Sequence, residues 1–90
     1  MDETKIDKVF HRLLAQEIQR ARKIQNITQE ALAEKINMST NNTGEIGRGE
    51  SRPFGVTLFT LCRALNINSY ELFKRVEKEI EKDCNDDKPY

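Results

Sequence analysis

The chain has 90 residues, 37% hydrophobic and 33% charged, which is enough for one domain around one modest core. Fifteen basic residues balance fifteen acidic ones, which argues against the basic excess of a non-specific polyanion binder. No apolar run approaches the ~20 residues that span a bilayer, and the start Met1-Asp2-Glu3-Thr4-Lys5 lacks the apolar segment of a signal peptide, so the expected location is cytoplasmic with no membrane partner.

From the N-terminus, Ile6, Val9, Phe10, Leu13, Leu14, Ile18 and Ala21 recur at helical spacing. They predict a long first helix with one apolar stripe. Arg20, Arg22 and Lys23 gather at its end, where cations either suit the helix dipole or face a phosphate. Asn26 closes this helix and Thr28 caps the next. Leu32, Ala33 and Ile36 give the second helix its buried side, and Ala33 is small enough to let a following helix cross closely. Asn37 suits a left-handed stop, Met38 plugs the turn, and Ser39 caps a third helix over about Thr40 to Gly47. Thr40, Asn41, Asn42, Thr43 and Gly44 all disfavour helix, so tertiary packing must hold this segment, chiefly through Ile46.

Gly47-Arg48-Gly49-Glu50-Ser51-Arg52-Pro53 reads as loop by its glycine and proline content. Val56, Leu58, Phe59, Leu61, Cys62 and Leu65 predict a fourth helix that is apolar nearly all round and therefore central. Asn66 suits another left-handed stop, and Asn68 or Ser69 caps a fifth helix carrying Leu72, Phe73, Val76 and Ile80. Leu72 and Phe73 are expected in the core. Val76 and Ile80, a turn further on, either join it or close a two-fold interface with a second copy; the interface is the preferred expectation. Glu71, Arg75 and Glu79 form i,i+4 pairs that solvate the same helix. The expected organisation is one all-α domain over residues 1–82, a bundle of about five helices, followed by a polar disordered tail over 83–90.

The chemistry-bearing residues are few. Cys62, Cys84 and the lone His11 do not form a metal-ligand spacing, and no base and orienter accompany a nucleophile. No metal, cofactor or enzymatic activity is expected. Cys62 falls on an apolar face and is expected to be buried and reduced, and Cys84 to be a free thiol in the tail.

A short amphipathic helix, a tight turn and a second short helix with a polar outer face make a helix-turn-helix. Gln29, Leu32, Ala33, the turn at Met38-Ser39, Ile46, Gly49, Pro53, Leu58, Leu61, Leu65, Ile67 and Leu72-Phe73 fall at the spacing of one family. Over about Leu14 to Phe73 the chain resembles the lambda-repressor/Cro-like (XRE-type) helix-turn-helix family, in the style of small single-domain regulators such as restriction–modification controller proteins.

The resemblance implies a sequence-specific double-stranded DNA-binding regulator of transcription, a dimeric repressor or controller at a palindromic operator. It makes Gln29 a phosphate contact that also braces the recognition helix, and Thr40, Asn41 and Asn42 the exposed start of that helix. Asn can bond adenine N6 and N7 together, and Thr can meet a thymine methyl. Thr28, Ser39 and Thr43 complete the expected contact set around the two helix starts, where backbone N–H groups also meet phosphate. Glu45 matches a base-facing position and can accept from cytosine N4, pair with Arg22, or face solvent. Arg48 and Arg52 lie in the loop that touches phosphates in such proteins, or are plain loop charges. Gly47 stands where the family carries a glutamate that pairs with an arginine at the position of Arg22, and Thr43 where an aliphatic residue anchors the helix. The zero net charge, Glu45 and the irregular third helix fit a second reading, a protein-interaction module such as an antitoxin or adaptor on the same fold, with a protein partner in place of DNA.

Overall fold

The computed structural model describes residues 3–53 and 55–86, with side chains over 4–53 and 55–82. The described residues form five helices and no strand: α1 (Glu3–Gln25), α2 (Gln29–Lys35), α3 (Thr40–Gly47), α4 (Gly55–Leu65) and α5 (Ser69–Asp86). The all-α class and the helix order match the expectation.

α1 to α4 stop in one way, and that stop sets the path of the chain. Asn26, Asn37 and Asn66 hold φ of 54°, 57° and 56°, and Gly49 holds 76°. After each, the next residue donates its N–H to the carbonyl five positions back: Ile27 to Arg22 at 2.9 Å, Met38 to Ala33 at 2.9 Å, Glu50 to Glu45 at 2.8 Å and Ile67 to Cys62 at 2.8 Å. This is the Schellman closure, which satisfies carbonyls that the helix end would otherwise leave bare. Asparagine and glycine occupy the left-handed position because other L-residues are strained there. The starts are also capped. Thr28 Oγ1 accepts the Ala31 N–H at 3.0 Å, Ser39 Oγ the Asn42 N–H at 3.1 Å, and Asn68 Oδ1 the Glu71 N–H at 3.1 Å.

The core is organised around α1. Val9, Leu13, Leu14, Ile18 and Ala21 meet Leu32, Ile36, Ile46, Leu61, Leu65, Leu72 and Val76 in one buried cluster. α1 lies against α3, α4 and α5, and α2 lies against α3. Gln25 Nε2 donates to the Leu65 carbonyl, a second tie between α1 and the end of α4. Full burial of a leucine or isoleucine contributes about 1.5–3 kcal/mol. Leu14, Ile18, Leu32, Leu61, Leu65 and Leu72 are each almost completely buried, so this cluster dominates the stability. Cys62 is buried and free, and burial pushes its thiol pKa up, away from the reactive thiolate.

Several expectations change. α4 is not buried all round: Leu61, Cys62 and Leu65 face the core, but Val56 and Phe59 are 80% and 64% exposed. In α5 the inward residues are Leu72 and Val76, while Phe73 is half exposed, its ring edge-on to Phe10 at 5.8 Å. Val76 and the partly buried Ile80 pack on the domain's own core, the alternative to the two-fold interface expected for them. The stripe 72, 76, 80 follows the i,i+4 row of a helix laid along α1, and Phe73 falls one residue off it. Finally, α5 runs to Asp86, beyond the stop expected at Lys82; neither glycine nor proline interrupts residues 83–86. Residues 87–90, the rest of the expected tail, and the Cys84 side chain lie outside the described residues.

A polar tie spans α1 and α5. Glu17 sits on the apolar side of α1 and is 8% exposed. It pairs with Arg20 at 2.8 Å and with Arg75 of α5, and Arg12 pairs with Glu79 at 3.6 Å. Arg75 therefore reaches across to α1 and is not the i,i+4 partner of Glu71 or Glu79. The hydrogen bond from Arg20 is the main reason that the Glu17 carboxyl titrates below its ordinary value; burial opposes it and Arg75 adds to it. A carboxylate with a lowered folded pKa contributes its full stabilisation above the unfolded value and loses it as pH falls through the folded value. Glu17→Gln should lower unfolding free energy by about 1–3 kcal/mol at neutral pH, and the gap to wild type should close in acid. Urea titrations across pH check this; equal midpoints at pH 7 would contradict the tie.

Candidate nucleic-acid interface

α3 is a poor helix by composition and a well-held one by its surroundings. Six of its eight residues, Thr40, Asn41, Asn42, Thr43, Gly44 and Gly47, carry a summed deficit of at most about 5 kcal/mol against alanine. Burial of Ile46, 3% exposed, offsets about 2–3 kcal/mol of it, and the Ser39 cap about 1 kcal/mol. Thr43, grouped on sequence with the candidate contacts, is 3% exposed. Its Oγ1 donates to the Ser39 carbonyl at 2.9 Å, which satisfies the hydroxyl where the family carries an aliphatic anchor. Thr43 therefore braces the interface from inside and does not belong to its surface.

The outer side of α3 keeps the remaining candidates together. Thr40, Asn41 and Asn42 are exposed at its start, Glu45 is half-buried one turn on, and Arg48 is exposed just past its end. The hydroxyls of Thr28 and Ser39 accept capping N–H groups, and each retains its own proton for donation to an outside acceptor. Gln29, the first residue of α2, donates from Nε2 to the Thr40 carbonyl at 3.3 Å, the bracing role that the resemblance implies.

Gly44 makes this contact possible. A Cβ at position 44 would lie 2.7 Å from Gln29 Nε2 and 3.1 Å from Arg48 Nη1, so the glycine serves a close approach. Gln19, which sequence reasoning missed, donates from Nε2 to the Gly47 carbonyl at 2.8 Å. No local signal marks it, because the bond exists only where α1 passes the end of α3.

The charges are paired. Arg48 chelates Glu50 through Nε at 3.0 Å and Nη2 at 3.2 Å. That hydrogen bonding is the first cause of its raised pKa, with the Glu50 and Glu45 charges adding. Arg52 pairs with Asp7, which also meets His11 Nδ1 at 2.9 Å. Arg22 turns to neither Glu45 nor Glu50; its Nη1 donates to the Ile27 carbonyl at 3.1 Å, fastening the turn between α1 and α2. Among the described residues no group of three His, Cys, Asp or Glu could hold a metal ion, and no helix is long and apolar enough to cross a membrane.

The two glycines of α3 separate propensity from contact. A Cβ at Gly47 meets nothing within 4 Å, so Gly47→Ala should raise stability by about 0.5–1 kcal/mol. Gly44→Ala gains the same propensity but must displace the Gln29 amide. Its net stability change should stay below that of Gly47→Ala, and the Gln29 side-chain NH2 resonances should move. Denaturant unfolding and NMR of both variants read the difference; identical gains with an unmoved Gln29 would contradict the contact.

The helix-turn-helix family model matches residues 18–72, from the middle of α1 into α5. Among curated proteins, none matches the sequence. Among solved structures, the fold is similar to that of the clp gene regulator ClgR from Corynebacterium glutamicum, with a TM-score of 0.65 over 90% of this chain and 82% of that one, at 16% identity. That likeness concerns the fold. The matched segment takes up more than half of the chain and contains the capped α2–turn–α3 unit, and the chain belongs to the XRE-type helix-turn-helix family.

Proposed function

We propose that the protein is a sequence-specific regulator of transcription that reads double-stranded DNA through α3, as a cytoplasmic homodimer. The observation that carries this reading is the exposed Thr40-Asn41-Asn42 edge at the start of α3, held in place by the Gln29 and Ser39 bonds. Short amide and hydroxyl side chains on a fixed helix start are suited to base edges in a major groove. Glu45, one turn on, can accept from cytosine N4. Gln29, Arg48 and Arg52 would face phosphates, with the two arginines exchanging Glu50 and Asp7 for the backbone. As a repressor or controller, the protein would act by occupying a promoter.

The self-association surface moves from the expected Val76 and Ile80 to the neighbouring face of α4 and α5. Val56, Phe59, Tyr70 and Phe73 are 50–80% exposed, and Phe59 and Phe73 line one groove with Leu58 and Ile67. An exposed aromatic and aliphatic patch of this kind marks an interaction surface. A dimer of this family's kind would present its two recognition helices to half-sites ~34 Å apart.

Selection from random duplexes at near-physiological salt tests the reading. A palindrome with half-sites one turn apart is the expected product. Asn41→Ala should then relax one base position per half-site at a cost of about 1–3 kcal/mol. Weak, sequence-blind binding would favour the protein-interaction reading, to which the paired state of Arg48 and Arg52 lends its weight. For association, Phe59→Asp should turn a sedimenting dimer into a monomer with little change in melting temperature, because position 59 is outside the core. A wild type that is monomeric at tens of micromolar would refute the dimer.

A further inference from the structure

We infer that the groove between α4 and α5 binds a small amphipathic carboxylic acid, an alkyl or aryl chain ending in one carboxylate. The groove encloses about 500 Å³, within the ~300–1,000 Å³ of small-molecule sites. Leu58, Phe59 and Cys62 line it from one face of α4, and Ile67 and Phe73 from the start of the next element. Leu58 and Ile67 are fixed against the core and Cys62 is buried, so these walls are preformed. From Gly55 to Arg63 the lined face of α4 extends ~12 Å at 1.5 Å per residue, room for a short chain laid lengthwise.

One end of the groove is cationic. Among the described residues, Arg12, Arg20, Arg22, Arg48, Arg52 and Arg75 are each held by a carboxylate or a carbonyl of the chain. Arg63 is exposed and has no such partner, and no carboxylate stands among the described residues that line the groove. Ser69, the first residue of α5, adds a hydroxyl donor across the turn at Asn66. A guanidinium fork takes both oxygens of a carboxylate. A neutral chain would leave that fork unused, and a bare anion would leave the apolar walls wet. Only a molecule with both parts satisfies the groove.

Binding needs these residues alone; its consequence rests on the association surface proposed above, which shares Phe59 and Phe73. An acid in the groove fills the concavity that a side chain of a second copy would enter. Acid and second copy therefore exclude each other, and each lowers the affinity of the other by the same factor.

The probes are octanoate below its micelle concentration, octan-1-ol and acetate, titrated while the Leu58 and Ile67 methyl resonances are followed by NMR. Octanoate should give saturable shifts, octan-1-ol should bind at least fivefold more weakly, and acetate should not saturate. Arg63→Gln, at an exposed position, should lower octanoate affinity at least fivefold and leave that of octan-1-ol unaltered. Phe59→Asp, which sets an acid in the wall, should abolish octanoate binding. Equal affinity for octanoate and octan-1-ol, or wild-type octanoate affinity in Arg63→Gln, would overturn the inference. So would methyl shifts that follow protein concentration and ignore octanoate, which would assign the groove to a second copy alone. Sedimentation of the same samples tests the consequence. Saturating octanoate should convert the dimer to monomer, and a dimer that persists with octanoate bound would overturn the competition. A wild type that is monomeric without octanoate would refute the dimer and leave the octanoate site standing.

Discussion

Helices of seven and eight residues do not hold their shape in water, because nucleation consumes more order than so few bonds return. α2 and α3 are of this length, and the interface rests on them. Their stability is borrowed from α1, whose Leu14 and Ile18 are almost fully buried in the same cluster as Leu32 and Ile46. The reading head is thus an outgrowth of one long amphipathic helix. The left-handed closures at Asn26 and Asn37 then turn the chain sharply enough for α2 and α3 to settle against that helix and each other.

The parts legible in the sequence were those decided by neighbours a few positions apart. Thr28, Ser39 and Asn68 cap helices, and the left-handed asparagines and Gly49 stop them, because capping and closure are local chemistry that side-chain type nearly dictates. The α2–turn–α3 unit and its exposed edge followed from the same local signals. What local pattern could not settle was the phase of one helix against another. Phe73 and Val76 are both apolar and both near the α5 stripe; the way α5 lies on α1 turned Val76 inward and left Phe73 half outside. Glu17 offered one unread clue. An acid set among Leu13, Leu14, Ile18 and Ala21 faces the core and needs a partner, and it found Arg75, 58 residues away.

Gly44 and Thr43 show how a departure from the family pattern is absorbed. By propensity both weaken α3. In place, the missing Cβ of Gly44 admits the Gln29 amide, and the Thr43 hydroxyl closes back on Ser39. Each trades an intrinsic preference for a specific contact within the α2–α3 unit. The geometry of that unit therefore depends on these polar bonds as well as on the burial of Leu32 and Ile46.

Pairing of the charges has a consequence for binding strength. An exposed ion pair such as Arg48–Glu50 contributes little to folding, so its exchange for a phosphate would carry only a small penalty in the protein. The acid released does not vanish, however. Glu50 and Asp7 would remain beside the duplex and oppose the field that the arginines supply. With no net charge across the chain, long-range attraction to DNA is weak, and complex formation must rely on contacts made at short range. Non-specific sites, which offer phosphates without matching base edges, lose most under that arrangement. On the proposed reading, a neutral chain with internally paired arginines would give up affinity in general but sharpen the difference between a matching site and the rest of the DNA.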